Sequence, residues 1–254
     1  GVSAPNAGLD SQPLCPILQP LKKFRSPLDR TIGGEYSILV NITVLYGGSM
    51  AQKELTTLER IHQAARKEFL EKGFQNASLR RIVKQAGVTT GAFYGYYKSK
   101  EQLLEALVGK QYDTVMACYR KAQTDFQLLP KEQQREQLSD ISGECMFWIL
   151  DYLYQYPEEF QLILCHCQGT RFDHLIDEMV EIEVDATNRF VNVLMELGQP
   201  APEMDPWLEH MLVSGMFRSY FEVVVHRLPK EAAVNYVKKL RAFYTAGWKE
   251  LLGF

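Results

Sequence analysis

The sequence predicts an all-α protein of about nine helices, in which a small N-terminal domain of three helices precedes a larger helical domain. Beyond residue 50, apolar residues recur at helical spacing, and no segment alternates as a half-buried strand would. Ser and Thr stand as N-cap residues before the first helical segments, and Pro or Gly separates the later ones. We therefore place the two domains at 50–110 and 111–254.

Residues 1–49 differ in composition from the rest of the chain. Prolines at positions 5, 13, 16, 20 and 27 interrupt them, and one strand-like run, 37–46, has no apparent partner strand. We expect Met50 to be the natural start, and the leader to be disordered or an artefact of upstream translation or expression. A genuine flexible arm is the alternative.

The composition indicates a globular protein in a reducing compartment. Apolar residues make up 46% and charged residues 23% of the 254 residues, which is ordinary for a domain with a core. The five cysteines form an odd, unevenly spaced set, which favours reduced thiols over a disulfide framework. Because no apolar run reaches about 18 residues, we expect a cytoplasmic protein with no membrane partner.

Charge is distributed unevenly along the chain. The net charge is only -3, but 50–110 holds 11 Lys and Arg against 6 Asp and Glu, whereas 111–254 holds 13 against 22. The N-terminal domain is therefore the part of the chain that favours a polyanionic partner.

Local signals define the first two helices of this basic domain. The spacing Thr56-x-x-Glu59 is that of a capping box, and Gly73 is positioned to end the helix that follows. Ser78 can cap a short second helix, and Gly87 suits a left-handed position in the turn after it.

A short third helix over 90–96, capped by Thr89, has two different faces. Phe93 and Tyr97 lie one turn apart and point inward. The outward face carries small residues and one phenol: Thr90, Gly91, Tyr94 and Gly95. Gly and Thr are poor helix formers, so helix stability does not explain their presence on this face. Small side chains would, however, allow the helix to enter a DNA major groove, which is about 12 Å wide.

The residues around the third helix predict DNA contacts. Hydroxyl groups can reach base edges, the phenol can donate to a phosphate, and lysines near a helix N-terminus can bind phosphates. The predicted DNA-binding residues are Arg80, Thr89, Thr90, Gly91, Tyr94, Gly95, Lys98 and Lys100. The alternative is an ordinary three-helix packing unit with a solvated basic face.

Three stretches of this domain form a specific combined pattern. They are Ile61-x-x-Ala64-Ala65-x-x-x-Phe69-x-x-x-Gly73-Phe74, Ser78-x-x-x-Ile82-Val83-x-x-Ala86-Gly87-Val88, and Gly91-Ala92-Phe93-Tyr94-x-Tyr96-Tyr97-Lys98-Ser99-Lys100-Glu101-x-Leu103-Leu104. Together, residues 55–108 resemble the N-terminal helix-turn-helix domain of the TetR family of transcriptional regulators. Two departures are Gly95, where members often carry His or another groove-facing side chain, and Val83, which replaces the usual alanine.

The resemblance implies a homodimer on a pseudo-palindromic DNA operator, with a ligand-binding body that sets the separation of the two recognition helices. It also implies dimerisation through the last two helices. Their candidate apolar faces are Met211, Leu212, Gly215, Met216, Ser219 and Val223, and Val234, Val237, Leu240, Phe243, Tyr244 and Trp248. The alternative is that both faces pack within their own subunit.

The second domain has five candidate helices, over 134–156, 158–168, 171–197, 206–228 and 230–252. A mixture of aromatic, Met and Cys side chains suits an apolar ligand pocket, although any helical core would contain the same types. The predicted pocket residues are Cys145, Trp148, Tyr152, Leu164, Phe172 and Met179. An acidic run between 173 and 185 is expected to be a solvated helix face, with a cationic ligand as the alternative.

Metal and enzyme chemistry have little support in the sequence. Cys165, His166 and Cys167 are adjacent and would point about 100° apart on a helix, so we predict core cysteines and no metal or other cofactor. No catalytic motif with a known mechanism occurs. We predict a ligand-responsive DNA-binding regulator, most simply a repressor, and no enzyme; a DNA-silent helical interaction protein and a metal-dependent sensor are the alternatives.

Overall fold

The computed structural model describes residues 55–199 and 204–253, and every regular element in these ranges is helical. The α-helices are α1 (Thr57–Asn76), α2 (Leu79–Ala86), α3 (Thr90–Tyr96), α4 (Lys100–Gln127), α5 (Lys131–Gln155), α6 (Pro157–Cys165), α7 (Leu175–Glu196), α8 (Pro206–Val225) and α9 (Lys230–Leu252). The all-α prediction is confirmed. The leader over 1–49 lies outside the described residues.

The predicted capping box starts α1. The Glu59 amide donates to Thr56 Oγ1 at 3.2 Å, and the Thr56 amide donates to Glu59 Oε2 at 2.8 Å. Gly73 has a φ of 70°, so the regular helix ends there and the chain turns towards the second domain. The next amide, of Phe74, donates to the carbonyl of His166 at 2.8 Å, which connects the two domains.

The turn between α2 and α3 also follows the local sequence signals. Ser78 caps α2 by accepting a hydrogen bond from the Arg81 amide at 3.4 Å. Gly87 adopts the left-handed conformation with a φ of 63°, and the Val88 amide donates back to the Val83 carbonyl at 3.2 Å. This turn fixes the direction in which α3 leaves α2.

The core of the first domain is continuous with the core of the second. Each of the three N-terminal helices contributes fully buried apolar side chains, as do the first turns of α4: Ile61, Ala65, Phe69, Ile82, Phe93, Leu103 and Leu104. In α4, Ser99 acts as the N-cap by accepting from the Gln102 amide at 3.2 Å. α4 has 28 residues, so it extends from the three-helix domain deep into the second domain.

In the second domain, four helix boundaries differ from prediction by three or four residues, namely the starts of α5 and α7 and the ends of α6 and α8. The predicted helix over 171–197 begins later, at Leu175, because Thr170 Oγ1 accepts from the Phe172 amide and a 3-10 turn, Arg171–His174, precedes α7. α5 begins at Lys131, directly after the break at Pro130. α6 packs against α1, α4 and α8. Among the described residues no helix is both long and apolar enough to cross a membrane.

Candidate DNA-binding interface and ligand cavity

The inner face of α3 fixes this helix against the three-helix core. Thr89 caps it by accepting from the Ala92 amide at 3.1 Å, and Phe93 is buried. Tyr97 is half-buried, and its hydroxyl lies 2.5 Å from Nε2 of His62 on α1. Burial lowers the pKa of His62, which favours the neutral ring at this contact. α3 is therefore a rigid, short helix whose orientation is set by α1 and α2.

The outer face of α3 is exposed and low in profile. Thr90, Gly91, Tyr94 and Gly95 are all exposed, in agreement with the predicted orientation, and Tyr94 retains 54% of its accessible surface. A Cβ atom added at Gly95 would meet nothing within 4 Å, and one at Gly91 would find only Thr89 Oγ1, at 4.0 Å. The protein's own packing therefore does not require either glycine. Their effect is to leave space outside the helix.

Three cations around α3 have no partner for their charge among the residues that the structure describes. The side chains of Arg80, Lys84 and Lys98 are exposed, and no described residue forms an ion pair or hydrogen bond with them. Arg81, the neighbour of Arg80, differs because its Nη2 lies 2.7 Å from Oε1 of the buried Glu68. Unpaired cations beside an exposed helix with small side chains are suited to binding the phosphates of DNA.

Lys100 does not join this group of free cations. Its Nζ donates to the carbonyls of Phe74 at 2.5 Å, Gln75 at 3.2 Å and Ala77 at 3.3 Å, and lies 4.5 Å from the Phe74 ring centroid. The predicted phosphate contact of Lys100 is therefore replaced by a contact within the protein. This lysine joins the start of α4 to the end of α1. The contact spans more than 20 residues, so no local pattern in the sequence signals it.

The comparison with protein families adds to this geometry. Residues 61–107 match the sequence model described as "Bacterial regulatory proteins, tetR family". The N-terminal domain belongs to the TetR family. The matched range covers α1, α2, α3 and the first turns of α4, which are the elements that carry the exposed face described above.

Curated relatives that match part of this chain are transcriptional regulators by name. The HTH-type transcriptional regulator SAB2452 of Staphylococcus aureus is 28% identical over 118 residues, which are 46% of this chain and 56% of the relative. UidR of Escherichia coli is 33% identical over 73 residues, 29% of this chain and 37% of the relative. The chain thus spans about half, or less, of the length of these relatives. Among solved structures, Salmonella enterica GusR aligns with a TM-score of 0.47 and 20% identity, over 80% of this chain and 99% of its own.

The second domain contains a cavity of about 530 Å³. It is bordered by α4, α5, α7, α8 and α9. Most of its wall is apolar and aromatic, and includes Phe126, Met146, Phe190, Met216, Phe217 and Trp248. This volume is in the range of small-molecule sites in proteins.

A carboxylate lies among these apolar walls. Oε2 of Glu183 accepts hydrogen bonds from the Tyr119 hydroxyl and from Nε2 of Gln123, the latter at 2.6 Å. Burial raises the pKa of Glu183 above its ordinary value, and burial followed by the charge of Glu183 raises the pKa of Tyr119. Sequence analysis placed Glu183 on a solvated acidic face. The signal that would have found it is its spacing, one turn after the buried Met179 and two turns before the buried Phe190.

Five of the six predicted pocket residues lie outside this cavity. Only Cys145 borders it. Trp148 stacks on Tyr152 with ring centroids 5.3 Å apart, and Phe172 meets the edge of Tyr112 at 5.4 Å. Leu164 and Met179 also pack in the protein core. The physical reason is that α6 fills the seam between α4 and α8, so the residues predicted as pocket walls pack around α6 and α7 instead.

Cys165, His166 and Cys167 are positioned as structural residues. Cys167 is fully buried, Cys165 Sγ accepts from Nε2 of Gln161 at 3.2 Å, and the backbone carbonyl of His166 accepts from α1. Over 55–199 and 204–253, no group of three or more His, Cys, Asp or Glu residues is placed to hold a metal ion.

The last two helices carry an exposed apolar surface, although not all of the predicted residues belong to it. Met211 on α8 and Phe243 on α9 are 61% and 72% exposed. Val223 and Val237 were predicted on the same faces, but both are buried in the core of the subunit. Sequence analysis missed Trp207, which is 77% exposed at the start of α8. Its position before the first apolar repeat of the helix concealed it.

Proposed function

We propose that this protein is a sequence-specific DNA-binding transcriptional regulator, in which α3 enters the major groove. The observation that carries the proposal is the outer face of α3, where two glycines leave space that the protein does not use. A smooth helix surface allows close approach to base edges in a groove about 12 Å wide. Thr90 and the phenol of Tyr94 supply hydrogen-bonding groups there, and Arg80 and Lys98 supply charge for the flanking phosphates.

We propose that two copies bind a pseudo-palindromic operator. One helix of seven residues offers few contacts, so a second copy is needed for tight binding. Two half-sites about 34–36 Å apart would place both recognition helices on one face of the duplex. The exposed Trp207, Met211 and Phe243 on α8 and α9 support dimerisation through these two helices, because large exposed apolar groups favour association.

We further propose that a small molecule in the cavity releases the DNA, which makes the protein a repressor. α4 supports this coupling because it participates in both sites. Its first residue, Lys100, is bonded to the end of α1, and further along Tyr119, Gln123 and Phe126 border the cavity. A ligand that displaces α4 would therefore displace the three-helix domain and change the separation of the paired α3 helices. A coupling free energy of about 2–3 kcal/mol would change operator affinity some 30- to 150-fold, and DNA would weaken ligand binding equally.

The test starts with selection of duplexes from a random-sequence pool by the full chain. Fluorescence anisotropy then compares the selected duplex with a scrambled duplex of equal composition at two salt concentrations. We expect tight, salt-sensitive binding to the selected duplex only. Lys98→Ala should weaken it and lower the salt slope, whereas Lys72→Ala, an exposed lysine on α1, serves as the matched control. Equal affinity for both duplexes would refute sequence-specific binding.

A further inference from the structure

The carboxylate of Glu183 has one oxygen with two donors and one with no donor among the described residues. Both donors, Tyr119 and Gln123, converge on Oε2 of Glu183. Its Oε1 accepts no hydrogen bond from a described residue, yet protein atoms do not seal it off, since it is not a fully buried atom. Oε1 is therefore an open acceptor that borders the cavity.

Leaving Oε1 of Glu183 without a hydrogen-bond partner is energetically unfavourable because of its surroundings. Phe126, Phe190 and Phe217 border the same cavity, and a carboxylate among apolar groups is stable only when its charge is compensated. Two neutral donors compensate it in part. A cation at Oε1 would complete the set, because a charge-assisted hydrogen bond is about twice as strong as a neutral one.

The aromatic walls suit the same kind of ligand. Tyr119 and Phe217 meet edge to face with centroids 5.6 Å apart, and Phe126 and Phe190 meet in the same way at 5.7 Å. Aromatic faces attract cations, and their area shelters an apolar chain or ring. The cavity can thus bind both the charged nitrogen and the apolar part of one molecule.

Two cations, Arg241 and Lys249, are among the residues that border the cavity. Arg241 and Lys249 also border a shallow surface depression, together with Phe147 and Lys238. Lys249 is exposed, and the guanidinium of Arg241 packs over α5, where a Cβ at Gly143 would lie 2.2 Å from its Cζ. Neither cation is among the hydrogen-bond donors to Glu183, which are Tyr119 and Gln123 in the described part of the chain.

We infer that the cavity binds an amphiphilic organic cation, with the charged nitrogen at Oε1 of Glu183 and the apolar body among the aromatic walls. This inference rests on the proposed ligand-responsive function and names the chemical class of the ligand. The head group is a protonated amine or amidine that can donate a hydrogen bond.

Calorimetric titration of the full chain with decylamine, decanol and decanoate, each below its micelle concentration, tests the inference. The three probes share one apolar chain and differ in head group. We expect decylamine to bind at least about tenfold more tightly than either of the others. Glu183→Gln should abolish this preference. Glu181→Gln, an exposed position on the same helix, should retain the preference.

The preference of the unmodified chain is informative by itself, so the test holds even if Glu183→Gln fails to fold. Tighter binding of decanoate, no binding of any probe, or an amine preference that survives in Glu183→Gln would overturn the inference. Release of DNA by decanol or decanoate would leave the proposed regulation standing without the cation site. Binding of decylamine without release of DNA would leave the cation site standing without the proposed regulation.

Discussion

Gly95→Ala should make the protein more stable and weaken its binding to DNA. Gly95 lies near the end of α3 without a positive φ, and a Cβ there would meet no atom within 4 Å. Alanine therefore fits the folded backbone without strain. Replacing Gly by Ala inside a helix stabilises it by about 0.5–1 kcal/mol, because the unfolded chain loses freedom that the folded chain does not use.

The same methyl group should be unfavourable in the complex. If the outer face of α3 contacts the floor of the major groove, the added atom enlarges a closely packed contact, at a cost of about 1–3 kcal/mol per half-site. In a symmetric dimer the methyl is introduced twice. Operator affinity should then fall by roughly thirtyfold or more, since two half-sites cost at least about 2 kcal/mol and each 1.4 kcal/mol corresponds to about a factor of ten.

Two measurements on the same preparation separate these effects. Urea unfolding gives the free energy of unfolding, and fluorescence anisotropy on the selected duplex gives the affinity. Ala117→Gly, at an exposed position in the middle of α4, is the reverse substitution and should lose about 1 kcal/mol of stability without changing affinity. If Gly95→Ala binds DNA as tightly as the unmodified chain while its stability rises, the outer face of α3 does not enter the groove.

Three further predictions test other parts of the proposal. Lys100→Met should lower the free energy of unfolding by about 1–3 kcal/mol in urea titrations, because three carbonyls lose a charged donor, whereas Lys98→Ala should leave it unchanged. Phe243→Lys should convert the proposed dimer to a monomer of the same helix content by sedimentation and circular dichroism; a dimer that survives would place the interface elsewhere. Because burial raises the pKa of Glu183 above its ordinary 4.5, ionisation of Glu183 lowers stability as pH rises through that range, so Glu183→Gln should be the more stable protein at neutral pH. That advantage should shrink below a pH of 4.5 in unfolding experiments, and an advantage independent of pH would show that Glu183 is not titrating.

The features predicted correctly are those that depend on short sequence distances. The cap at Thr56, the left-handed turn at Gly87 and the two faces of α3 each involve residues at most a few positions apart. Backbone preference and hydrogen-bond geometry determine them locally, so the sequence contains the full information. The three-helix domain could therefore be derived almost entirely from the chain.

The features predicted wrongly depend on which helices meet. Lys100 was assigned to a phosphate because its position at a helix start is a local fact, but its partners lie at the end of α1. The pocket was assigned to residues of α5, α6 and α7 and of the turn before α7, but most of them pack in the core, whereas the cavity is bordered by α9 as well. Periodicity identifies the buried face of a helix, yet it does not identify whether that face meets another helix or a cavity.

For Glu183, the composition of the surrounding sequence and the helical periodicity lead to opposite predictions. The acidic run of α7 consists mainly of solvated residues, such as Glu181 and the ion-paired Asp185, so composition alone favours a surface. The helical repeat nevertheless places Glu183 on the face of Met179 and Phe190, which are buried. An apolar residue at this position would avoid the cost of burying a carboxylate, which is several kcal/mol when the charge is uncompensated. Stability therefore does not account for a glutamate here, whereas a ligand cation that completes its hydrogen bonding does.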